Sequence, residues 1–339
     1  MPDRDNQIDL VKTVAIISVI TIHVTSYGWA IYPIGSVPWI ANMFWASLTR
    51  AAVPLFLMCS GVLFLNPGKE LSLKKLYTKY LPRVVAAMIV WAMAYKIYAL
   101  VSSHTFSAPG LWQAFKEVLV FNQEFHFYYI HIIILVYICL PILRVFLAKA
   151  DRRQLEYSLA VWFVFAILYP TVVHFWPFHL ITGFPLQWMP NMTYAAFGYL
   201  VLGYYLKFVF PPGRGFSFTL FALGFLIVFS GTWNTSVAYG RFYDGFLGGM
   251  TAGVALMTAG IFGACRLRGG RISAWIAKAS FCIYLSHVFF LYLFEKAGFG
   301  VGMFTPLLSA PIITAAIFLC GCGVYAVLSW IPVVKQWLI

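Results

Sequence analysis

Ten long apolar stretches follow one another along the chain, separated by short polar connections. Each stretch is long enough to cross about 30 Å of hydrocarbon as an α-helix. The pattern therefore predicts an all-α, polytopic transmembrane bundle. The predicted helices cover residues 10–32, 39–66, 80–102, 126–148, 155–176, 191–210, 216–234, 246–264, 273–297 and 306–331.

Composition supports the same class. Apolar residues make up 62% of the chain, charged residues only 10%, and aromatic residues 19%. The net charge of +13 could suggest a nucleic-acid partner, but the basic residues lie in short clusters between the apolar stretches. That arrangement argues against nucleic acid and for an integral membrane protein. We see no repeat, linker or fused soluble domain, so we predict one membrane domain over 1–339.

Basic residues alternate between connections. Because cytoplasmic connections are enriched in Lys and Arg, the alternation predicts that both termini are cytoplasmic. The predicted cytoplasmic connections carry Lys69, Lys74, Lys75 and Lys79; Arg144, Lys149, Arg152 and Arg153; Lys207 and Arg214; Arg266, Arg268 and Arg271; and Lys335.

The cysteines show no paired spacing of the kind that binds zinc. We expect free thiols, with no disulfide and no metal site. The six residues are Cys59, Cys139, Cys265, Cys282, Cys320 and Cys322.

Ionisable side chains inside the first two apolar stretches are the main functional signal. Lys12 and His23 are eleven residues apart, close to three helical turns, which predicts one shared face and roughly 16 Å of separation. Arg50 lies midway through the second stretch. Ionisable groups at such depth usually face the bundle interior and serve function.

Each of these residues also has a structural interpretation. An intramembrane histidine such as His23 can simply join two helices by a hydrogen bond, and Lys12 can extend to the interface. Arg50 has no short route to water, and Asp9 lies too near the inner surface to pair with it, so we expect Arg50 to await an anion or a dipole network. His287 lies at a similar depth to His23 and is either its neighbour or part of the core.

The histidines all fall in the outer half of the predicted bundle or in outward connections, whereas the cytoplasmic connections have no histidine and offer Lys and Arg. Imidazole suits proton transfer from a hydroxyl, and Lys and Arg suit phosphates. The distribution favours an enzyme whose phosphorylated donor enters from the cytoplasm. Two outward connections, 103–125 and 177–190, could form the mouth of an outward pocket or serve only as interfacial anchors.

Four segments resemble the signatures of acyltransferase family three, the multi-pass membrane acyltransferases that modify bacterial surface glycans. The likeness is closest to short members without an extracytoplasmic esterase-like domain, such as the O-acetyltransferase of enterobacterial common antigen. The matching segments are IDLVKTVAIISVITIH (8–23), RAAVPLFLMCSG (50–61), FHFYYIHIIILVYICLP (125–141) and SFCIYLSH (280–287).

The resemblance implies transfer of an acyl group, most often acetyl from acetyl-CoA, to a hydroxyl of a surface glycan or lipid-linked sugar, in the bacterial inner membrane. His23 would act as general base or acyl carrier, and Arg50 would hold the thioester carbonyl or its oxyanion. Lys12, Arg83 and the cluster Lys74, Lys75 and Lys79 would attract the CoA phosphates. Ser60, His126, Tyr284 and His287 complete the expected substrate and donor contacts.

Two departures from the family pattern are visible: Tyr128 stands where a tryptophan is expected, and Cys282 replaces a glycine. These changes concern acceptor contacts and helix approach rather than the reaction class. The family allows lysine at position 12, but Lys12 would hold a phosphate or carbonyl less directionally than an arginine.

Two other function classes stay open. A proton-coupled transporter of a small molecule or lipid-linked sugar would also bury ionisable groups, although its usual internal repeats are not evident. A scaffold for glycan-assembly enzymes would leave the buried His23 and Arg50 unexplained. An enzyme would consume acetyl-CoA when the acceptor is present, whereas a transporter or a scaffold would not.

Overall fold

The computed structural model describes residues 5–181, 192–266 and 270–339, and this part of the chain is helical throughout, without a strand. Aspartate caps start two of the helices. The Asp5 carboxylate accepts from the backbone N–H groups of Gln7 and Ile8, and Asp151 forms a reciprocal capping box with Gln154. The α-helices are α1 Asn6–Ser26, α2 Gly28–Ile31, α3 Val37–Leu48, α4 Ala52–Phe64, α5 Leu73–Lys75, α6 Leu81–Ser102, α7 Ala108–Leu119, α8 Tyr128–Lys149, α9 Arg152–Trp162, α10 Tyr169–Val172, α11 Met192–Tyr204, α12 Arg214–Tyr239, α13 Ala252–Ala264, α14 Arg271–Lys296, α15 Pro306–Leu328 and α16 Pro332–Trp337.

Eight segments of the described chain are long and apolar enough to cross a membrane: α1–α2, α3–α4, α5–α6, α8, α9–α10, α12, α14 and α15. The predicted polytopic helical bundle is confirmed. Of the two remaining predicted spans, 191–210 corresponds to α11 and its π-helical continuation to Val209. The other is shorter than predicted, because α13 begins at Ala252 rather than near 246. Gly248 and Gly249 keep the start of that apolar stretch out of the helix.

The second predicted helix, 39–66, is interrupted at 49–51, between α3 and α4. Pro54 has no N–H to donate to the carbonyl of Arg50, and its ring crowds that carbonyl. The backbone tightens there, and the Arg50 N–H donates to the Ser47 carbonyl at 3.4 Å. The expectation of a continuous helix is therefore wrong. Irregular backbone at this depth must be buried in protein or line a cavity.

The first helix lies at the centre of the bundle. α1 packs against α4, α14 and α15, so the side chains of all four helices can meet around it. This arrangement decides which of the predicted site residues become neighbours.

Glycines allow a close approach between the helices α4 and α11. A Cβ atom at Gly61 would lie 2.0 Å from the Leu200 carbonyl oxygen, and one at Gly203 would lie 2.4 Å from the Met58 carbonyl oxygen. Small residues at such positions let two membrane helices pack backbone to backbone. Gly61 therefore serves helix packing.

The two long outward connections, 103–125 and 177–190, are described to different extents. The amphipathic stretch expected around Leu111 to Phe121 is the helix α7, held to α6 by a 2.5 Å ion pair between Lys96 and Glu117. Most of the connection 177–190 lies outside the described residues. All six cysteines are free, as expected.

Candidate functional site

The interruption between α3 and α4 places Arg50 on the wall of a cavity of about 420 Å³. We call it the histidine cavity. His23 from the end of α1 lines the same cavity and is partly exposed to it, and so does Tyr128 from α8, which is exposed. Tyr284 from α14 also lines the cavity but is buried. The structure thus brings together the two residues that the sequence proposed for chemistry.

Among the described residues, Arg50 has no salt-bridge partner for its charge. Its Nε is buried without a hydrogen-bond acceptor. Asp244, in the connection before α13, and the Tyr128 hydroxyl interact with Arg50 only electrostatically. From the sequence, Asp9 was the acid considered for Arg50, and the charge of Asp244 was not foreseen.

Three histidine rings lie in contact behind the cavity. The ring centroids of His23 and His287 are 5.1 Å apart, and those of His287 and His126 are 5.3 Å apart. His287 and His126 are fully buried, whereas His23 is not. His287 is therefore a neighbour of His23, one of the two alternatives that the sequence left open.

The tautomer of His287 follows from its backbone contact. Its Nδ1 lies 2.7 Å from the carbonyl oxygen of Tyr284, which can only accept, so Nδ1 carries the hydrogen. Nε2 is then an acceptor, and it is buried without a partner. The rings of His23 and His126 lie at similar distances from His287, and either can turn to offer an N–H to this nitrogen.

A second cavity, of about 300 Å³, lies toward the end of the bundle where α1 begins and where the α4–α5 and α8–α9 connections run. We call it the basic cavity. Three cations from three helices line it: Lys12 from α1, Arg83 from α6 and Lys278 from α14. The sequence analysis missed Lys278, although a lysine inside the predicted helix 273–297 was a visible signal.

Two of the expected donor contacts at the basic cavity already have partners. The Ser60 hydroxyl donates to the Phe56 carbonyl one turn earlier at 3.1 Å, so it can offer a ligand only its acceptor side. The Arg83 guanidinium donates to the carbonyl of Ile339. Its remaining N–H groups can still face the cavity that it lines.

The lysine cluster Lys74, Lys75 and Lys79 does not line the basic cavity. These side chains are exposed on α5 and the π-helical turn before α6. The structure brings Lys12 and Arg83 to the cavity and leaves the cluster outside it.

Lys12 and His23 line different cavities, although they share a helix. The two cavities meet at Tyr284, which lines both. Two residues expected to contact substrate or donor, His126 and Tyr284, are linked directly, because the Tyr284 hydroxyl donates to the carbonyl of His126.

Tyr128, which stands in place of the family's tryptophan, is 45% exposed and faces the histidine cavity.

The family model described as "Acyltransferase domain", that of acyltransferase family three, matches residues 5–330. The chain belongs to acyltransferase family three. No curated protein and no solved structure matches the chain. Family membership and the eight apolar spans make this protein an integral membrane acyltransferase.

Within the part of the chain that the structure describes, His, Cys, Asp and Glu form no group of three or more that could hold a metal ion. The side chains that line the two cavities include imidazole, guanidinium, ammonium and phenol groups. Such groups can move a proton, stabilise an oxyanion and bind phosphates.

Proposed function

We propose that this membrane acyltransferase moves an acetyl group from acetyl-CoA to a hydroxyl of a surface glycan or lipid-linked sugar. The observation that carries the proposal is that His23 and Arg50 face one cavity, next to a second cavity lined by three cations. A proton acceptor and an oxyanion partner are the two groups that acyl transfer needs most.

The basic cavity suits the donor. Lys12, Arg83 and Lys278 come from three helices and converge on a space that otherwise is largely apolar, which fits a phosphorylated ligand with a thin apolar arm. The distribution of basic connections favours the cytoplasm for this end of the bundle, where acyl-CoA is available.

The histidine cavity suits the reaction. His23 takes the proton of the acceptor hydroxyl, and the oxygen forms a bond to the thioester carbonyl carbon. Arg50 donates to the oxyanion of the tetrahedral intermediate, where the low dielectric strengthens the contact. The carbon–sulfur bond then breaks, the ester remains on the acceptor, and the His23 imidazolium returns its proton to the CoA sulfur.

A covalent route uses the same residues. His23 attacks the thioester itself, CoA leaves, and the acceptor hydroxyl later takes the acetyl group from the imidazole. In both routes we expect the acceptor to reach the protein at the far end of the bundle, because the distribution of basic connections favours the outer face for that end.

The deciding experiment follows release of free CoA from acetyl-CoA by purified protein in nanodiscs, with donor binding measured separately. We expect wild-type protein to bind the donor and to release CoA slowly. His23→Ala should bind it equally well but release CoA at least about 100-fold more slowly, because a general base contributes about 10²–10⁴ in rate.

The matched control is His131→Ala. His131 lies on α8 against the ring of Phe121 and lines neither cavity, so its loss should leave both binding and release near wild type. Binding by neither wild type nor His23→Ala would reject the acyl-CoA donor and favour the transporter alternative. Unchanged CoA release by His23→Ala would reject the assigned base.

A further inference from the structure

Tyr284 is the residue shared by the linings of the histidine cavity and the basic cavity. It lies in the middle of α14 and is only 4% exposed. A donor whose phosphates lie near Lys12 and whose acetyl group reacts near His23 has to extend past this ring. Tyr284 therefore occupies the path between binding and chemistry.

Other rings surround Tyr284 on the side of α8. Its ring centroid lies 5.5 Å from that of Tyr129 and 5.7 Å from that of His126. The ring of His287, one turn further along α14, lies 5.8 Å away. Such edge contacts fix an aromatic ring in a tight position without filling the cavities on either side.

One polar contact holds the ring in place. The Tyr284 hydroxyl donates to the carbonyl of His126, in the 3₁₀ turn that precedes α8. This bond ties α14 to α8 across the junction of the two cavities. If the bond opens, the ring can turn about its side-chain torsions and change the width of the passage.

We propose that Tyr284 is a partition between the two cavities that admits the acetyl group and excludes longer acyl chains. This inference rests on the proposed function, since it concerns the donor of the same reaction. Tyr284 is a specificity-determining and positioning residue, and it also keeps water in the basic cavity away from His23. Water that reaches His23 would hydrolyse the donor instead of leaving it for the acceptor.

The first test compares acetyl-CoA with butyryl-CoA. Tyr284→Ala removes the ring and joins the two cavities, so we expect the ratio of kcat/KM for butyryl-CoA over acetyl-CoA to rise at least about tenfold, the scale on which a pocket discriminates between chain lengths. The share of CoA released without acceptor should rise as well. Tyr284→Phe keeps the ring but loses its anchor, and it should fall between wild type and Tyr284→Ala.

Tyr292 provides matched controls on the same helix. It lies two turns after Tyr284, its hydroxyl donates to Glu124 at 2.8 Å, and it lines neither cavity. Tyr292→Phe and Tyr292→Ala should leave the butyryl-to-acetyl ratio within about twofold of wild type. A folded Tyr284→Ala protein with an unchanged ratio and unchanged hydrolysis share would overturn the partition.

A second measurement does not depend on activity. Ser60→Cys places a thiol in the basic cavity, and a small membrane-impermeant thiol reagent is added from the side of the histidine cavity in oriented vesicles. The thiol should be protected when Tyr284 is present and modified when Ser60→Cys is combined with Tyr284→Ala. The same proteins with Ser60 retained correct for the six native cysteines.

The two measurements separate the two proposals. If wild-type protein consumes no acetyl-CoA, the proposed function fails, while the labelling result still decides whether Tyr284 separates the cavities. Equal labelling with and without the Tyr284 ring would reject the partition even in an active enzyme.

Discussion

The two cavities differ in how their charged groups are held. In the basic cavity, Lys12 is partly exposed and Lys278 is exposed, so their long side chains offer mobile charges to a ligand, whereas the carbonyl of Ile339 holds Arg83. In the histidine cavity, a backbone interruption places Arg50 on the cavity wall, and packed rings hold His23. Mobile cations suit capture of phosphates, whereas fixed groups suit stabilisation of a transition state.

The same central helix contributes to both cavities. α1 carries Lys12 at one end and His23 near the other, and its neighbour α14 carries Lys278 and His287 in the same order. The basic cavity and the histidine cavity therefore lie at different levels along the α1–α14 pair, with Tyr284 between them. Substitutions in the basic cavity should affect KM, and substitutions in the histidine cavity should affect kcat.

The largest expected effect after loss of His23 is that of Arg50→Lys. An ammonium cannot reproduce the planar fork of guanidinium, so we expect kcat to fall by about 10²–10³, with KM for acetyl-CoA within about twofold. Steady-state CoA release measures both. Arg241→Lys, in the connection after α12, is the matched control and should be near wild type. A parallel rise in KM would mean that Arg50 also binds the ground-state donor.

Substitutions in the basic cavity should have a smaller effect, and this effect should be on KM rather than on kcat. The double variant Lys12→Gln with Lys278→Gln should raise KM for acetyl-CoA by about tenfold, or ~1.4 kcal/mol, and should change kcat little. Its effect should shrink at high salt, because screening weakens exposed charges. The matched control, Lys74→Gln with Lys75→Gln, removes the same charge outside the cavity and should change KM less than twofold. Equal effects of the two pairs would mean that only net charge matters.

The helix α4 lines both cavities, and Gly61 in this helix offers a third test. Gly61→Ala forces α4 away from the Leu200 carbonyl, so it should destabilise the protein by about 1–3 kcal/mol and disturb kcat and KM together by a few fold. Thermal unfolding in detergent and kinetics measure the two effects. Gly215→Ala in α12 meets no neighbouring atom and should leave both unchanged. A change in KM alone would show that the cavities are less coupled through α4 than we infer.

The smallest effect is expected outside both cavities. The Lys96 ammonium beside Glu117 lowers the pKa of that carboxyl below its usual range. Glu117→Gln should lower stability by at most about 1 kcal/mol near pH 7, since the pair is near the surface. Because the pKa is lowered, the contribution is present above the ordinary carboxyl range, near 4.3, and is lost as the pH falls through the lowered value. Thermal unfolding at pH 7 and pH 5 should show the same difference from wild type, with unchanged kinetics.

Much of the fold was predictable from the sequence because it depends on local hydropathy. The predicted helices 216–234 and 273–297 correspond to α12 and α14, within a few residues at each end. The interruption at Arg50 also had a local cause in Pro54, but the uninterrupted apolar pattern of 39–66 hid it. The short α13 shows the same limit, since hydropathy does not register how two glycines weaken a helix.

The candidate site also combines features that the sequence determines with features that depend on the fold. The sequence determined which groups are ionisable at depth, so His23, Arg50 and Lys12 were identifiable from charge within apolar runs. It did not determine that Lys12 and His23 line separate cavities, that Asp244 interacts with Arg50, or that Tyr284 lies between the cavities. Those facts depend on packing between helices that are far apart in the chain, here α1 and α8 against α14. Only the tertiary structure decides such contacts, because they arise from shape complementarity and not from the composition of any one segment.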